Sequence, residues 1–293
     1  AEERWKTVAK PLHSLGKLEE AVIRMAGIRE DADFIMKKKG LVIFCADNGV
    51  VAEGVTQTGQ EVTAIVADNF TKGATSVCIM AEKAGVDVLP VDIGMAVDVA
   101  SLTDPSKKIS YGTENMAHGP AMTREQAVLS VETGIRLAGE FAPETDVFAT
   151  GEMGIGNTTP SSAIVTVFAG EPDPTPYVGS GAGLDARLLA HKAAVIRDAI
   201  ERNVPDRSDA LDVLAKVGGF EIGGIAGVIL GAAACRKPVL VDGFISTAGA
   251  LIAQALSPDA ADYMILAHSS VERGHRRMRE MLGKSPLLDL NLR

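Results

Sequence analysis

Four short apolar runs, separated by stretches of helical periodicity, constrain this chain more than anything else in it. Leu41–Ala46 ends at Asp47-Asn48-Gly49, Val86–Ile93 follows a helical pattern over 60–84, Asp146–Thr150 runs into Gly151, and Pro238–Gly243 carries Asp242 near its end. Runs apolar on both faces need cover on both sides, which is the situation of parallel strands joined by crossover helices. Helical patterns over Thr123–Glu140, Leu184–Glu201 and Gly223–Ala234 supply such crossovers. The expected fold class is therefore α/β: a mostly parallel sheet with helices on both faces. Residues 1–36 place Leu15, Leu18, Ala21, Val22 and Met25 at helical spacing behind Ser14 as a cap. Paired with 266–293 they are expected to form a small helical lobe beside an α/β body over 37–265.

Composition removes several classes of function. The net charge of −9 and an aromatic content of 4% speak against a nucleic-acid partner, which needs basic surface and stacking rings. No 18-residue apolar run is free of polar interruption, so no membrane span is expected. Cys45, Cys78 and Cys235 are far apart in apolar contexts, and the five histidines show no ligand spacing. Reduced thiols, no metal site and no cofactor follow as expectations. The charged opening Ala1–Lys6 lacks signal-peptide character, which points to the cytoplasm.

In parallel sheets ligands bind beyond the carboxyl ends of the strands. Asp47, Glu152 and Asp242 all fall there, a rim of carboxylates that single turn-forming acids would not need to make. The segment Gly151–Pro160 contains three glycines and Glu152, Gly154, Asn157 and Thr158 ahead of an apolar helix start. Glycines let backbone approach a ligand, and a helix start offers unpaired N–H groups to an anion. Taken alone it is equally a plain strand-to-helix connection. Val178–Leu184, with Gly179, Ser180 and Gly181, leads into a helix carrying Lys192 and suits a phosphate cradle or a simple flexible joint. Its spacing is neither Gly-x-x-x-x-Gly-Lys-Ser/Thr nor Gly-x-Gly-x-x-Gly. Pro238–Ala250 has the outline of a diphosphate-sugar loop, but Gly243 stands where a second acid is required.

Longer matches lie along nearly the whole chain: Lys10–Glu19, Cys45–Val50, Gly119–Met122, Gly151–Pro160, Lys216–Glu221, Val241–Phe244 and His268–Gly274. Together they resemble the nicotinate-nucleotide:dimethylbenzimidazole phosphoribosyltransferase family, the CobT-like enzymes of cobamide lower-ligand activation. The resemblance implies transfer of the phosphoribosyl group of nicotinate mononucleotide to an aromatic lower-ligand base, with 37–265 as the nucleotide- and base-binding domain. It puts Glu152 on the ribose side, and Gly179, Ser180, Gly181 and Lys192 at the 5′-phosphate. Asp47, Gly154, Asn157, Thr158 and Asp242 join them as substrate-side residues. Thr58 and Val66 stand where better-known members carry a serine and, eight positions on, a glutamine. The lost amide implies an acceptor range extending to phenolic or purine bases.

The family's general base is a glutamate in a Gly-Glu-Gly-(Ser/Thr)-Gly loop directly after a segment like Leu288–Arg293. The residues up to Arg293 do not contain that loop, and neither Glu272 nor Glu280 inherits its role. Either the natural chain continues, or a partner supplies the base. Dimerisation is implied, as a homodimer or with a homologous subunit. A diphosphate-dependent transferase and a non-catalytic nucleotide-binding subunit remain as the alternatives.

Overall fold

The computed structural model describes residues 1–102, 104, 106–179 and 185–292. Seven strands are present among them: β1 (Lys39–Ala46), β2 (Val86–Gly94), β3 (Val147–Met153), β4 (Val239–Val241), β5 (Met264–Leu266), β6 (His268–Ser270) and β7 (Leu288–Leu292). The helices are α1 (Glu2–Lys6), α2 (Lys17–Arg29), α3 (Glu61–Thr71), α4 (Ser76–Ala84), α5 (Arg124–Phe141) and α6 (Thr158–Ala169). They continue with α7 (Ala186–Asn203), α8 (Ala210–Val217), α9 (Phe220–Ala234), α10 (Phe244–Leu256) and α11 (Arg273–Leu282).

The main sheet is parallel throughout, in the order β2-β1-β3-β4-β5, and β6 and β7 form a separate parallel pair. All four expected strands are present, and β5 is a fifth that the sequence reading missed. It is three residues long and follows a 3-10 turn over Pro258–Tyr263, too short to show a pattern. From β1 the chain moves out to β2 on one side, then returns to place β3 on the other. The connections therefore diverge between β1 and β3, which opens a crevice beyond their carboxyl ends.

Alternation along β1 assigns the two faces. Val42, Phe44 and Ala46 enter the main core with α5, α6, α9 and α10, whereas Ile43 and Cys45 meet Ala67 of α3, with Phe70 of α3 and Val77 of α4 packed alongside. Helix α9 is apolar nearly all round and buried from Phe220 to Ile229, as a helix lying between a sheet and a second helical layer must be. Its closeness to α5 requires glycine: a Cβ on Gly134 would lie 2.1 Å from the Gly224 carbonyl oxygen, and one on Gly227 2.0 Å from that of Val131. Helix α5 opens on a capping box between Thr123 and Gln126, at the start expected from the sequence.

Two local expectations need correction. The pattern over 60–84 is not one helix: it breaks at Gly73 (φ +67°), and Thr75 caps α4 by accepting from Cys78 N. Ser14 does not cap α2. Its N–H is tied to Pro11 O in the preceding turn, Gly16 is the residue before the helix, and Leu15 and Leu18 are exposed while Ala21, Met25 and Ala26 are buried. The N-terminal segment reaches the rest of the chain through Lys17 Nζ to Pro286 O and through Arg24 to the carbonyls of Ala261 and Asp262.

Candidate active site

The three rim carboxylates follow or end adjacent strands. Asp47 follows β1, Glu152 lies near the end of β3, and Asp242 follows β4. Asp47 is buried. Its N–H donates to Gly94 O, its carbonyl accepts from Thr113 N, and its Oδ2 accepts from Ala96 N at 2.8 Å. Burial raises its carboxyl above the usual range, opposed by the Ala96 hydrogen bond. These ties make Asp47 a brace for the loops around the crevice.

Glu152 is partly buried and opposes Phe44 of β1 in the strand register. Burial, with the charge of Asp242 adding to it, pushes its carboxyl up to about 7 against the hydrogen bond from Asn157 Nδ2. Glu152 and Asp242 line a cavity of about 320 Å³ whose other walls include Leu41, Ile43, Phe70 and Leu240. The cavity lies over β1, β3 and β4, with Phe70 of α3 and Val77 of α4 in its wall. It is apolar along the floor and acidic at the rim, which suits an aromatic ring joined to a sugar that develops positive charge. His268 Nδ1 stands 3.5 Å from Asp242 Oδ1 on the outer side.

Gly154 sits where a side chain would not fit. A Cβ there would meet Ala46 O at 2.7 Å, Glu221 Oε1 at 3.0 Å and Asn157 Nδ2 at 3.2 Å. Asn157 precedes α6 without capping it, because its side chain is turned to Glu152. Pro160 is tolerated in the first turn of α6, where N–H groups have no helical partner to lose. Thr158, the first residue of α6, faces Lys192 of α7, whose Nζ donates to Thr158 Oγ1 at 2.6 Å, while the Thr159 and Ser161 N–H groups donate to Gly156 O and Asn157 O. Lys192 is only 1% exposed, and burial lowers its ammonium to about 8, partly offset by Glu272. A buried ammonium beside a helix N-terminus is an anion site in waiting. Gly179 abuts Glu272, which puts it at the same place, while Ser180 and Gly181 lie outside the described residues.

Thr58 is exposed on the loop before α3 and is not among the cavity-lining residues; its carbonyl accepts from Thr56 Oγ1. Val66 is half-buried on α3, one turn before the cavity residue Phe70. The same helix is fastened to the glycine loop by Ile155 N donating to Thr63 Oγ1 at 3.1 Å. Sequence reasoning missed Glu221 and Asn48, which are buried behind Glu152 and bonded to each other. The available signal was a lone acid opening the otherwise apolar Phe220–Ala234 helix. Among the described residues no group of three or more His, Cys, Asp or Glu is placed to hold a metal ion.

Comparison with known proteins agrees with this geometry. A family model described as DBI_PRT, phosphoribosyltransferase, matches residues 1–293. A nicotinate-nucleotide–dimethylbenzimidazole phosphoribosyltransferase of Syntrophotalea carbinolica is 48% identical over 100% of this chain and 84% of its own length. The enzyme of the same name from Alkaliphilus metalliredigens is 46% identical, again over 100% and 84%. The crystal structure of CobT from Thermus thermophilus superposes with a TM-score of 0.92 at 37% identity, covering 99% of this chain and 87% of that one. Whole-chain matches of this kind, on a fold whose rim carries the expected acids, place the chain in the DBI_PRT family of phosphoribosyltransferases.

Proposed function

We propose that this protein is a pentosyltransferase moving the 5-phosphoribosyl group of nicotinate mononucleotide to dimethylbenzimidazole or a related aromatic base, in cobamide synthesis. The relatives' shared name supports the reaction, and the observation that carries the site is Glu152 and Asp242 on one apolar cavity with Lys192 behind Thr158. The nicotinate nitrogen is cationic while joined to ribose and leaves as a neutral ring, so departure needs no proton donor. C1′ becomes positive as that bond lengthens, and ionised Glu152 stabilises it electrostatically. Lys192, Thr158, the α6 N-terminus and Gly179, with Ser180 and Gly181, hold the 5′-phosphate. The incoming ring attacks the opposite face of C1′, the β-linkage becomes α, and the ring N–H proton passes to a general base. Asp47, Gly154 and Asn157 keep the crevice walls in place.

Val66 and Thr58 border the acceptor side, and the aliphatic Val66 supports an acceptor range that includes phenolic and purine bases. Residues 37–265 serve as the substrate-binding body; 1–36 meets 266–293 through Lys17 Nζ to Pro286 O, and meets the body through Arg24 to the Ala261 and Asp262 carbonyls. A dimer, of two copies or with a homologous subunit, is supported by the Leu288, Leu290 and Leu292 face of β7, exposed at 51%, 56% and 45%. The cytoplasm suits three separate thiols that are not bridged. No observation favours a non-catalytic subunit. The test is incubation of the purified protein with nicotinate mononucleotide and dimethylbenzimidazole, followed by chromatography for free nicotinate and an α-riboside phosphate. Absence of both products would refute the proposal.

A further inference from the structure

Behind Glu152 lies a pair of side chains whose hydrogen bonding is one proton short. Glu221 is 0% exposed and Asn48 1% exposed. Asn48 Nδ2 donates to Glu221 Oε1 at 2.8 Å, while Glu221 Oε2 and Asn48 Oδ1 are both buried without a partner. These two oxygens face the same spot: a Cβ on Gly219 would lie 2.8 Å from Oε2 and 2.9 Å from Oδ1. Two acceptors buried against each other are each costly, and repulsive if the carboxyl is ionised. A single hydrogen on Oε2, directed at Oδ1, satisfies both and closes a ring with the existing Asn48–Glu221 bond.

We propose that Glu221 is held as the neutral acid in a two-point ring with Asn48, and that this keeps the site's negative charge on Glu152. The titratable groups around Glu221 point the same way. Glu152 on β3 and Asp47 after β1 both face it with negative charge, the Cys45 thiol on β1 is buried nearby, and no cation pairs with Glu221 among the described residues. Burial, reinforced by Glu152 and Asp47, pushes Glu221 up to about 7 against the Asn48 hydrogen bond and its place in the first turn of α9. Both glutamates reach the neighbourhood of Gly154: a Cβ there would lie 3.0 Å from Glu221 Oε1 and 3.2 Å from the Asn157 amide nitrogen that donates to Glu152. Neighbouring buried carboxylates do not both ionise readily. Glu152 opens on the cavity and accepts from Asn157, whereas Glu221 is sealed against an amide that needs a donor. The proton therefore belongs to Glu221, a positioning residue.

The functional half of this inference rests on the proposed transfer reaction; the protonation half does not. The experiment compares wild type with Glu221→Gln, Glu221→Ala and Asn48→Leu. Glutamine reproduces the protonated acid, its amide donating to Asn48 Oδ1 and its carbonyl accepting from Asn48 Nδ2. The infrared difference between wild type and Glu221→Gln at about pH 6 is expected to show the C=O stretch of a protonated carboxyl. Its absence would overturn the proposal whatever the activity. In turnover assays, Glu221→Gln is expected to stay within about threefold of wild type in kcat/KM and to lack wild type's loss of kcat on the alkaline side. Glu221→Ala and Asn48→Leu are expected to lose roughly tenfold or more in kcat. Glu221→Gln as impaired as Glu221→Ala, with thermal stability retained, would also overturn it. If wild type itself does not turn over, the transfer reading fails and the infrared arm alone decides the protonation.

Discussion

Replacing Lys192 by methionine is expected to stabilise the unliganded protein while weakening its hold on phosphate. Burial brings the Lys192 ammonium from 10.5 down to about 8. At about 1.4 kcal/mol per pH unit, holding that charge at neutral pH costs the folded state about 3 kcal/mol. The unfolded chain keeps the lysine proton up to 10.5, whereas the folded protein releases it near 8. Between those values the unfolded state binds more protons, so this group's contribution to stability rises with pH across the window and the full penalty applies below it. Methionine has similar length and no charge, and it gives up one hydrogen bond, that to Thr158, worth about 1 kcal/mol. The net expectation is a gain of roughly 2 kcal/mol, or about 4 °C in Tm, near pH 7. That gain shrinks as pH rises above 8. Thermal unfolding followed by circular dichroism, wild type against variant across about pH 6.5–9.5, measures it. Added inorganic phosphate should raise the Tm of wild type only. A variant less stable at neutral pH, or a gap indifferent to pH, would refute the argument that Lys192 is a charge stored for an anion.

Four further outcomes are expected. Glu152→Gln should lower kcat by roughly 100-fold or more with little change in donor KM, since the lost interaction forms as C1′ becomes positive; an unchanged kcat measured at saturation would exclude that role. Because Glu152 is pushed up to about 7 and acts ionised, kcat in wild type should fall as pH drops through 7, an acid limb that Glu152→Gln should lack. Val66→Gln should raise preference for dimethylbenzimidazole over phenol by about fivefold in competition assays, for one buried hydrogen bond; no change would place Val66 outside acceptor choice. Gly134→Ala should destabilise by roughly 1–3 kcal/mol in urea titration, because its Cβ would fall 2.1 Å from the Gly224 carbonyl oxygen.

What the sequence made legible follows from how far each signal reaches. The runs at 41–46, 86–93, 146–150 and 238–243 declared four parallel strands because they are apolar nearly throughout, and their ends located Asp47, Glu152 and Asp242 on one rim. Lys192 was noticeable as a basic residue after a glycine loop, but its burial and its bond to Thr158 depend on how α7 crosses α6. Three-residue β5 carried no period to detect. The break at Gly73 was visible as a glycine and was overruled by apolar spacing on both sides of it. Glu221 and Asn48 are 173 positions apart, and nothing local announces that such residues share a hydrogen bond. Pairings of that kind are tertiary facts.

The bond from Ile155 N to Thr63 Oγ1 has a consequence for how substrate range can drift. It pins one turn of α3 to the glycine loop that follows β3, so that turn is committed to architecture. Val66, three positions on, makes no such tie through its side chain. On the proposed acceptor role of Val66, substitution there would retune what enters as acceptor while the bond that holds α3 to the glycine loop stays in place.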